Sequence, residues 1–528
     1  MTDLTASLTL DPDFRVAEVP PRLFGSFVEH LGRCVYTGIF EPDHQLADGD
    51  GFRTDVLEMT RELGVSVVRY PGGNFVSGYR WEDGVGAVED RPKRLDLAWH
   101  SLETNAFGLG EFARWTRKAG VEPMMALNLG TRGVQEACDL LEYCNHPGGT
   151  YWSDLRAAHG HEKPFDVRLW CLGNEMDGPW QIGHKTAAEY GRLAAETARA
   201  MRMIDPALEL VACGSSHSSM PTFGEWEATV LEEAYDQVDF ISLHAYYHQQ
   251  DGDLASFLAS ALDMEAFIED VVATADHIRA RLRRSKRINL SFDEWNVWDQ
   301  TDWHEQGPPR DWPVAPPLIE DTYDVADAVV VGSLLVALLR HSDRVTVACL
   351  AQLVNAIAPM RTEVDGRAWR QTTFYPFAHT ARLARGQVLR VEPETPAYPT
   401  RRFGDVPAVH SVATYDEDSG DVAVFAVNRH PTEPVDLTVR HRAFSDHRIR
   451  EHIVLADDDT AAVNTADRPD RVKPVSRYVE TAEDGAGRVR LPPASWSAIR
   501  LASTTARRRA EADTRQRSRP PVTLRHRT

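Results

Sequence analysis

The chain has 528 residues, 42% hydrophobic and 26% charged, the make-up of an ordinary globular protein with enough apolar mass for a large core. Its 58 lysines and arginines face 79 acidic residues, and the formal net charge of −21 repels phosphate backbones and anionic membrane surfaces, so neither nucleic acid nor a membrane is expected as a partner. The longest apolar run, Ala328–Leu339, is broken by Gly332 and Ser333 and reads as a buried helix rather than a membrane span.

At the N-terminus, Leu4, Ala6, Leu8 and Leu10 alternate with polar residues, the pattern of a strand with one buried face. Asp11 and Asp13 arrive before the first arginine, so no secretion signal is expected. The 6 cysteines (Cys34, Cys138, Cys144, Cys171, Cys213, Cys349) lack CxxC spacing. They read as reduced, buried thiols of a cytoplasmic protein, not as a zinc ribbon or a disulfide framework.

After Pro20-Pro21 short apolar runs alternate with longer helical patterns. The predicted strands are Leu23–Glu29, Val65–Tyr70, Pro123–Asn128, Val167–Gly173, Glu209–Cys213, Phe240–Tyr246, Ile288–Glu294 and Val345–Gln352. Between them lie helical segments such as Asp55–Leu63, Glu111–Lys118, Ala187–Met203, Ala266–Arg284 and Val325–Arg340. About eight such β/α units favour a (β/α)8 barrel over an open sheet. From about Gln387 the helical patterns stop, and Val409–Tyr415, Val422–Asn428, Val435–Arg440, Arg448–Leu455 and Ser495–Leu501 read as strands of a small antiparallel sandwich. The expected organisation is an N-terminal strand joining the sandwich (1–18), a catalytic barrel (19–385), a C-terminal β-sandwich (386–502) and an arginine-rich disordered tail (503–528).

Reacting groups of such barrels sit at the C-terminal ends of the strands, and polar residues gather there in this sequence. Glu29, Arg69, Asn128, Gly173-Asn174-Glu175, His244 with Tyr246, Asp293-Glu294 and Gln352 end seven of the predicted strands. A lone strand-end glutamate can simply pair with a neighbouring arginine. Two of them, Glu175 and Glu294, on nearly opposite strands and beside Asn174 and Trp298, can instead flank a glycosidic bond. A retaining glycosidase needs its carboxyl groups about 5 Å apart and an inverting one a wider gap, which spacing along a chain does not measure. His244 and His248 have the i,i+4 spacing of zinc ligands only on a helix, and here they fall on a strand and its loop, so no metal is expected. Gly72-Gly73 lacks the Lys-Ser/Thr of a phosphate loop and reads as a tight turn.

Several long stretches carry a family resemblance. Arg69-Tyr70-Pro71-Gly72-Gly73-Asn74, Asn128-Leu129-Gly130-Thr131-Arg132-Gly133, Trp170-Cys171-Leu172-Gly173-Asn174-Glu175-Met176-Asp177-Gly178-Pro179-Trp180, Ser291-Phe292-Asp293-Glu294-Trp295-Asn296-Val297-Trp298 and Cys349-Leu350-Ala351-Gln352-Leu353-Val354-Asn355 resemble the α-L-arabinofuranosidases of glycoside hydrolase family 51. The likeness runs from about Phe24 to Pro376 and more loosely through the sandwich. It implies a (β/α)8 barrel with a C-terminal β-sandwich and a retaining double displacement. The implied enzyme removes terminal arabinofuranosyl groups from arabinose-containing oligosaccharides without metal or organic cofactor, as a homo-oligomer, often a hexamer. By the same resemblance Glu175 is the acid/base and Glu294 the nucleophile, and Asn174 binds the sugar 2-hydroxyl. Glu29, Asn74, Tyr246 and Gln352 hold the ring, Arg69 and His244 support them, and Trp99 and Trp298 shape the mouth. Another retaining barrel glycosidase, or a catalytically silent carbohydrate-binding protein on the same fold, are the alternatives.

Overall fold

The computed structural model describes residues 4–481 and 486–504. Eight parallel strands close into a barrel in sequence order: Arg22–Phe27, Val67–Tyr70, Glu122–Ala126, Leu169–Cys171, Glu209–Ala212, Phe240–Tyr247, Asn289–Val297 and Val345–Leu350, the last pairing back onto the first. We refer to them as barrel strands one to eight. Strands such as Val67–Tyr70 are buried on both faces, as expected for a parallel sheet wrapped in helices. The predicted strands are found, but strands one, three, four and eight stop short of their predicted polar ends. Glu29, Asn128, Asn174, Glu175 and Gln352 therefore stand in the loops just above the barrel, while His244, Tyr246, Asp293 and Glu294 lie within strands six and seven.

Two further sheets form the sandwich. One runs Arg15–Glu18, Gln387–Leu389, Val409–Tyr415, Val422–Asn428, Ser495–Ser503, His447–Leu455, Val475–Ser476. The other runs Leu4–Thr9, Val435–Arg440, Ala486–Leu491, Glu480–Thr481. The sandwich departs from the all-antiparallel expectation at one pair, because Leu4–Thr9 lies parallel to Val435–Arg440. The whole barrel separates these strands in sequence, and a connection that long leaves the direction free, where a hairpin would force antiparallel pairing. The last strand reaches Ser503, which pairs with His447. The expected tail from residue 505 onward lies outside the described residues.

The helix Val325–Arg340 joins the two bodies. It is apolar around nearly its whole circumference and buried at almost every position, so it needs covering on all sides. The barrel helix Ala261–Leu282 packs on one side and strands Val409–Tyr415, Val422–Asn428 and Ser495–Ser503 on the other. Ser333 bonds His410 Nδ1 at 2.9 Å across this seam. Gly332 lies so close to Trp496 that a Cβ there would stand 2.2 Å from the indole Cδ1. Trp496 is itself fully buried and cannot yield freely. Gly332→Ala should therefore destabilise the protein by about 1–3 kcal/mol, the usual cost of overpacking, read as a lowered thermal unfolding midpoint. An unchanged midpoint would show that the seam is loosely packed.

Candidate active site

A cavity of about 690 Å³ opens at the C-terminal end of the barrel, and Glu29, Asn74, Trp99, Glu175, Tyr246, Glu294, Trp298 and Gln352 all border it. Arg69 and His244 stand behind its wall and touch it through Glu294 and Glu175, and Asn174 is bonded to Arg69. All the sequence-predicted site residues thus converge on one space.

A break in strand register explains how two successive acids both enter the barrel. In a regular strand Asp293 and Glu294 would point to opposite faces. Between Ser242 and His244 strand six advances two residues, while its partner advances three, from Ser291 to Glu294. Against strand eight the count repeats, with Phe292 opposite Ala348 and Trp295 opposite Leu350. Strand seven thus holds one extra residue, a bulge that turns Glu294 inward after Asp293. Asp293 sits deeper, accepting from Ser291 Oγ at 3.1 Å.

Arg69 donates from Nη1 to Glu294 Oε1 and from Nη2 to Asn174 Oδ1, each at 2.7 Å. It does not touch Glu29 through any hydrogen bond in the described structure; that acid is held otherwise. Tyr246 donates to the other oxygen of Glu294 at 2.9 Å. Glu294 is 7% exposed and held at both oxygens, by the Arg69 cation on one side and the Tyr246 hydroxyl on the other, which fixes the carboxyl group in place. Because Arg69 can only donate, it fixes the amide of Asn174. The Asn174 Nδ2 donor is left buried without a partner among the described residues.

Glu175 has φ +44°, a left-handed conformation uncommon outside glycine, which swings its side chain over the cavity. Its Oε1 meets His244 Nδ1 at 3.0 Å and its Oε2 accepts from Trp180 Nε1 at 2.7 Å. His244 Nε2 meets Asp293 Oδ1 at 2.9 Å. Burial opposes a charge on His244, but the Glu294 charge and the bonds to Asp293 and Glu175 override it and lift the pKa to about 10. The ring is therefore an imidazolium that donates from both nitrogens. Burial raises the Glu175 pKa, with the Glu294 charge adding to it and the His244 bond opposing it. For Asp293, Arg69 and His244 overcome burial and hold the carboxyl below its usual range.

Glu29 accepts from the Phe75 amide and from Trp99 Nε1, both at 2.9 Å, and from Gln352 Nε2 at 3.2 Å. Burial, then the Glu294 charge, pushes its pKa up to about 8. Trp99 packs edge-on against Trp303, and Trp298 edge-on against Tyr246. A tryptophan and a strand-end residue of the sequence reading lie elsewhere. Trp295 is fully buried behind strand seven and stacks on Phe377. Asn128 ties its own loop to the Tyr79 carbonyl and Thr131. Conversely, Trp180, Trp303 and His217 border the cavity, and only Trp180 stood in a quoted motif. Glu175, His244 and Glu294 each bring a potential metal-binding atom within 4.8 Å of the others. Those atoms are already engaged, Glu175 with His244 and Glu294 with Arg69 and Tyr246, and the Arg69 and His244 cations beside Glu294 disfavour a further positive charge there.

Comparison with known proteins agrees with this geometry. Residues 59–282 match the family model of the α-L-arabinofuranosidase 1 domain and residues 293–495 that of the α-L-arabinofuranosidase C-terminal domain. An intracellular exo-α-(1→5)-L-arabinofuranosidase of Streptomyces lividans is 62% identical over 94% of this chain and 75% of its own length. An exo-α-(1→6)-L-arabinofuranosidase of Bifidobacterium longum is 54% identical over 94% of this chain and 97% of its own. The solved structure of a family 51 α-L-arabinofuranosidase from Bifidobacterium longum superposes with a TM-score of 0.91 at 50% identity, covering 94% of this chain and all of that one.

Gly73 gives the site a direct test. A Cβ at this position would stand 3.0 Å from Glu294 Oε1 and 3.4 Å from both Asn174 Nδ2 and Glu29 Oε2. Glu294 is pinned on both oxygens and cannot move aside. Gly73→Ala should therefore lower kcat/KM on 4-nitrophenyl α-L-arabinofuranoside by about 10²-fold, the effect of a small misplacement of reacting groups, with the unfolding midpoint unchanged. Full activity would show that the three side chains do not share one binding space.

Proposed function

The chain belongs to the α-L-arabinofuranosidases of glycoside hydrolase family 51, and from that membership we propose that it is an exo-acting enzyme removing terminal non-reducing α-L-arabinofuranosyl residues from oligosaccharides by a retaining double displacement. The carrying observation is the approach of the two glutamates. One carboxylate oxygen of each lies within 4.8 Å of the other. Retaining enzymes hold the carboxyl groups about 5–5.5 Å apart, and inverting ones about 6.5–9.5 Å, to leave room for water.

In this reading Glu294, ionised against Arg69, attacks the anomeric carbon. Glu175 gives its proton to the departing glycosidic oxygen. Esterification removes the Glu294 charge, so Glu175 becomes the stronger acid, and its conjugate base takes a proton from the water that hydrolyses the ester. The unpartnered Asn174 Nδ2 is the donor for the sugar 2-hydroxyl, and Glu29, Asn74, Tyr246 and Gln352 hold the ring. The chemistry needs no metal or organic cofactor. Relatives are named intracellular, and the cysteines are free thiols, which supports a cytoplasmic setting. The homo-oligomer implied by the family resemblance is read by light scattering on the intact chain.

Two experiments test the mechanism. Proton NMR in the first minutes of hydrolysis should show arabinose released with the substrate's anomeric configuration, and initial release of the other anomer would overturn the nucleophile assignment. The second is a pH profile of His244→Gln. The imidazolium favours the ionised form of Glu175, so removing its charge raises the Glu175 pKa further. The acid then keeps its proton to higher pH, and the alkaline limb of kcat/KM should move upward. A limb that moves down or stays would show that Glu175 does not set it.

A further inference from the structure

The cavity extends beyond the cluster of ring-binding residues, and the circular order of the barrel divides its wall. Strands eight, one and two lead to Gln352, Glu29 and Asn74. Strands four, five and six lead to Glu175, His217 and His248 on the other arc. If Glu175 protonates the glycosidic oxygen, the arc that carries it faces the leaving group. At the outer end of that arc stand Asp263 and Arg402, which both border the cavity.

Arg402 does not belong to the barrel. It lies in the three-residue turn between strands Ala397–Thr400 and Gly404–Pro407, a hairpin outside both main sheets of the sandwich. This turn is fastened to the barrel's short helix Leu254–Leu258. Ser256 Oγ accepts the backbone N–H groups of Arg401 and Arg402, each at 3.1 Å, while donating to Asp253 Oδ2 at 2.5 Å. Tyr398 of the hairpin donates to the Ala255 carbonyl at 3.0 Å. The guanidinium then reaches Asp263 Oδ1 at 3.1 Å and lies 5.0 Å from the Phe403 ring centre, and Asp263 Oδ2 accepts from Tyr247 at 3.2 Å. The Arg402 side chain remains 48% exposed, and its one side-chain hydrogen bond among the described residues is from Nη2 to Asp263.

An arginine locked against a carboxylate has no net charge and sets donors beside acceptors, which matches adjacent hydroxyls of a neutral sugar. The chain's formal charge of −21 further disfavours an acidic one. We propose that Arg402 and Asp263 form a subsite for a neutral sugar on the leaving-group side of the scissile bond, so that the C-terminal part of the chain helps choose the substrate. This assignment rests on Glu175 being the acid/base, because that residue defines which arc faces the leaving group.

The test compares the full chain and Arg402→Ala on 4-nitrophenyl α-L-arabinofuranoside and on α-(1→5)-linked arabinotriose. With the triose, kcat/KM should fall roughly 10- to 100-fold, as expected for lost hydrogen bonds to a charged group, chiefly through KM. On the aryl substrate, which carries no second sugar, it should be unchanged. Asp263→Asn should repeat the pattern, and the double variant should lose little more than either single one, because the pair acts as a unit. Equal losses on both substrates, no loss on the triose, or a loss seen only with uronic-acid-bearing oligosaccharides would overturn the proposal. Failure of the unmodified enzyme to turn over the aryl substrate would instead overturn the reading of Glu175 and Glu294.

Discussion

The guanidinium of Arg69 is the fixed cation around which the barrel mouth is arranged. Glu29, Asp293 and Glu294 are almost fully buried there, with Glu175 only slightly more open. So many carboxylates cannot share a small, poorly solvated volume unless protons or cations compensate them. Arg69 and the imidazolium of His244 supply two positive charges, and Asp293, held below its usual range, and Glu294, gripped by Arg69 and Tyr246, carry the matching negative ones. The remaining acids have raised pKa values, Glu29 to about 8. In the proposed double displacement Glu294, gripped by Arg69, is the attacking carboxylate and Glu175, whose pKa burial and the Glu294 charge raise, is the proton donor.

Precision in that arrangement comes from the backbone. The extra residue in strand seven turns Glu294 inward after Asp293, so one acid can polarise His244 while the next faces the cavity. The left-handed turn at Glu175 brings the second carboxyl above the first. Such irregularities cost stability, and the surrounding core over-determines them. The helix Val325–Arg340 locks the barrel to the sandwich, and Ser256 of the barrel helix Leu254–Leu258 fastens the Arg402 hairpin at the cavity's edge.

Much of this was legible in the sequence because each barrel strand is a short apolar run and seven of the eight predicted runs are closed by a polar residue. That pattern located all eight strands, and the motifs around Glu175 and Glu294 named the residues that meet in the cavity. The bulge was not legible, since Asp293-Glu294 reads like any strand end and the extra residue exists only relative to neighbouring strands. The parallel pairing of Leu4–Thr9 was hidden for the same reason, its partner lying more than 400 residues away. Trp180 and His217 reach the cavity from loops and Trp303 from the short helix Thr301–Gln306, where no barrel-strand periodicity constrains side-chain direction. Arg402 was the hardest to foresee, because its place depends on Ser256 capturing a turn of another body.

The central claim is that Glu294, held ionised by Arg69, forms the bond to the sugar. It is tested most directly by trapping that bond. In Glu175→Ala the second step lacks its base, so an intermediate formed from 4-nitrophenyl α-L-arabinofuranoside should accumulate. Acid quenching during this phase, followed by digestion and mass spectrometry, should find one pentosyl group esterified to the peptide that carries Glu294, and fragmentation should place it on that residue. A pentosyl group on Glu29 or on any other residue, or no adduct although nitrophenol is released in a burst, would contradict the account.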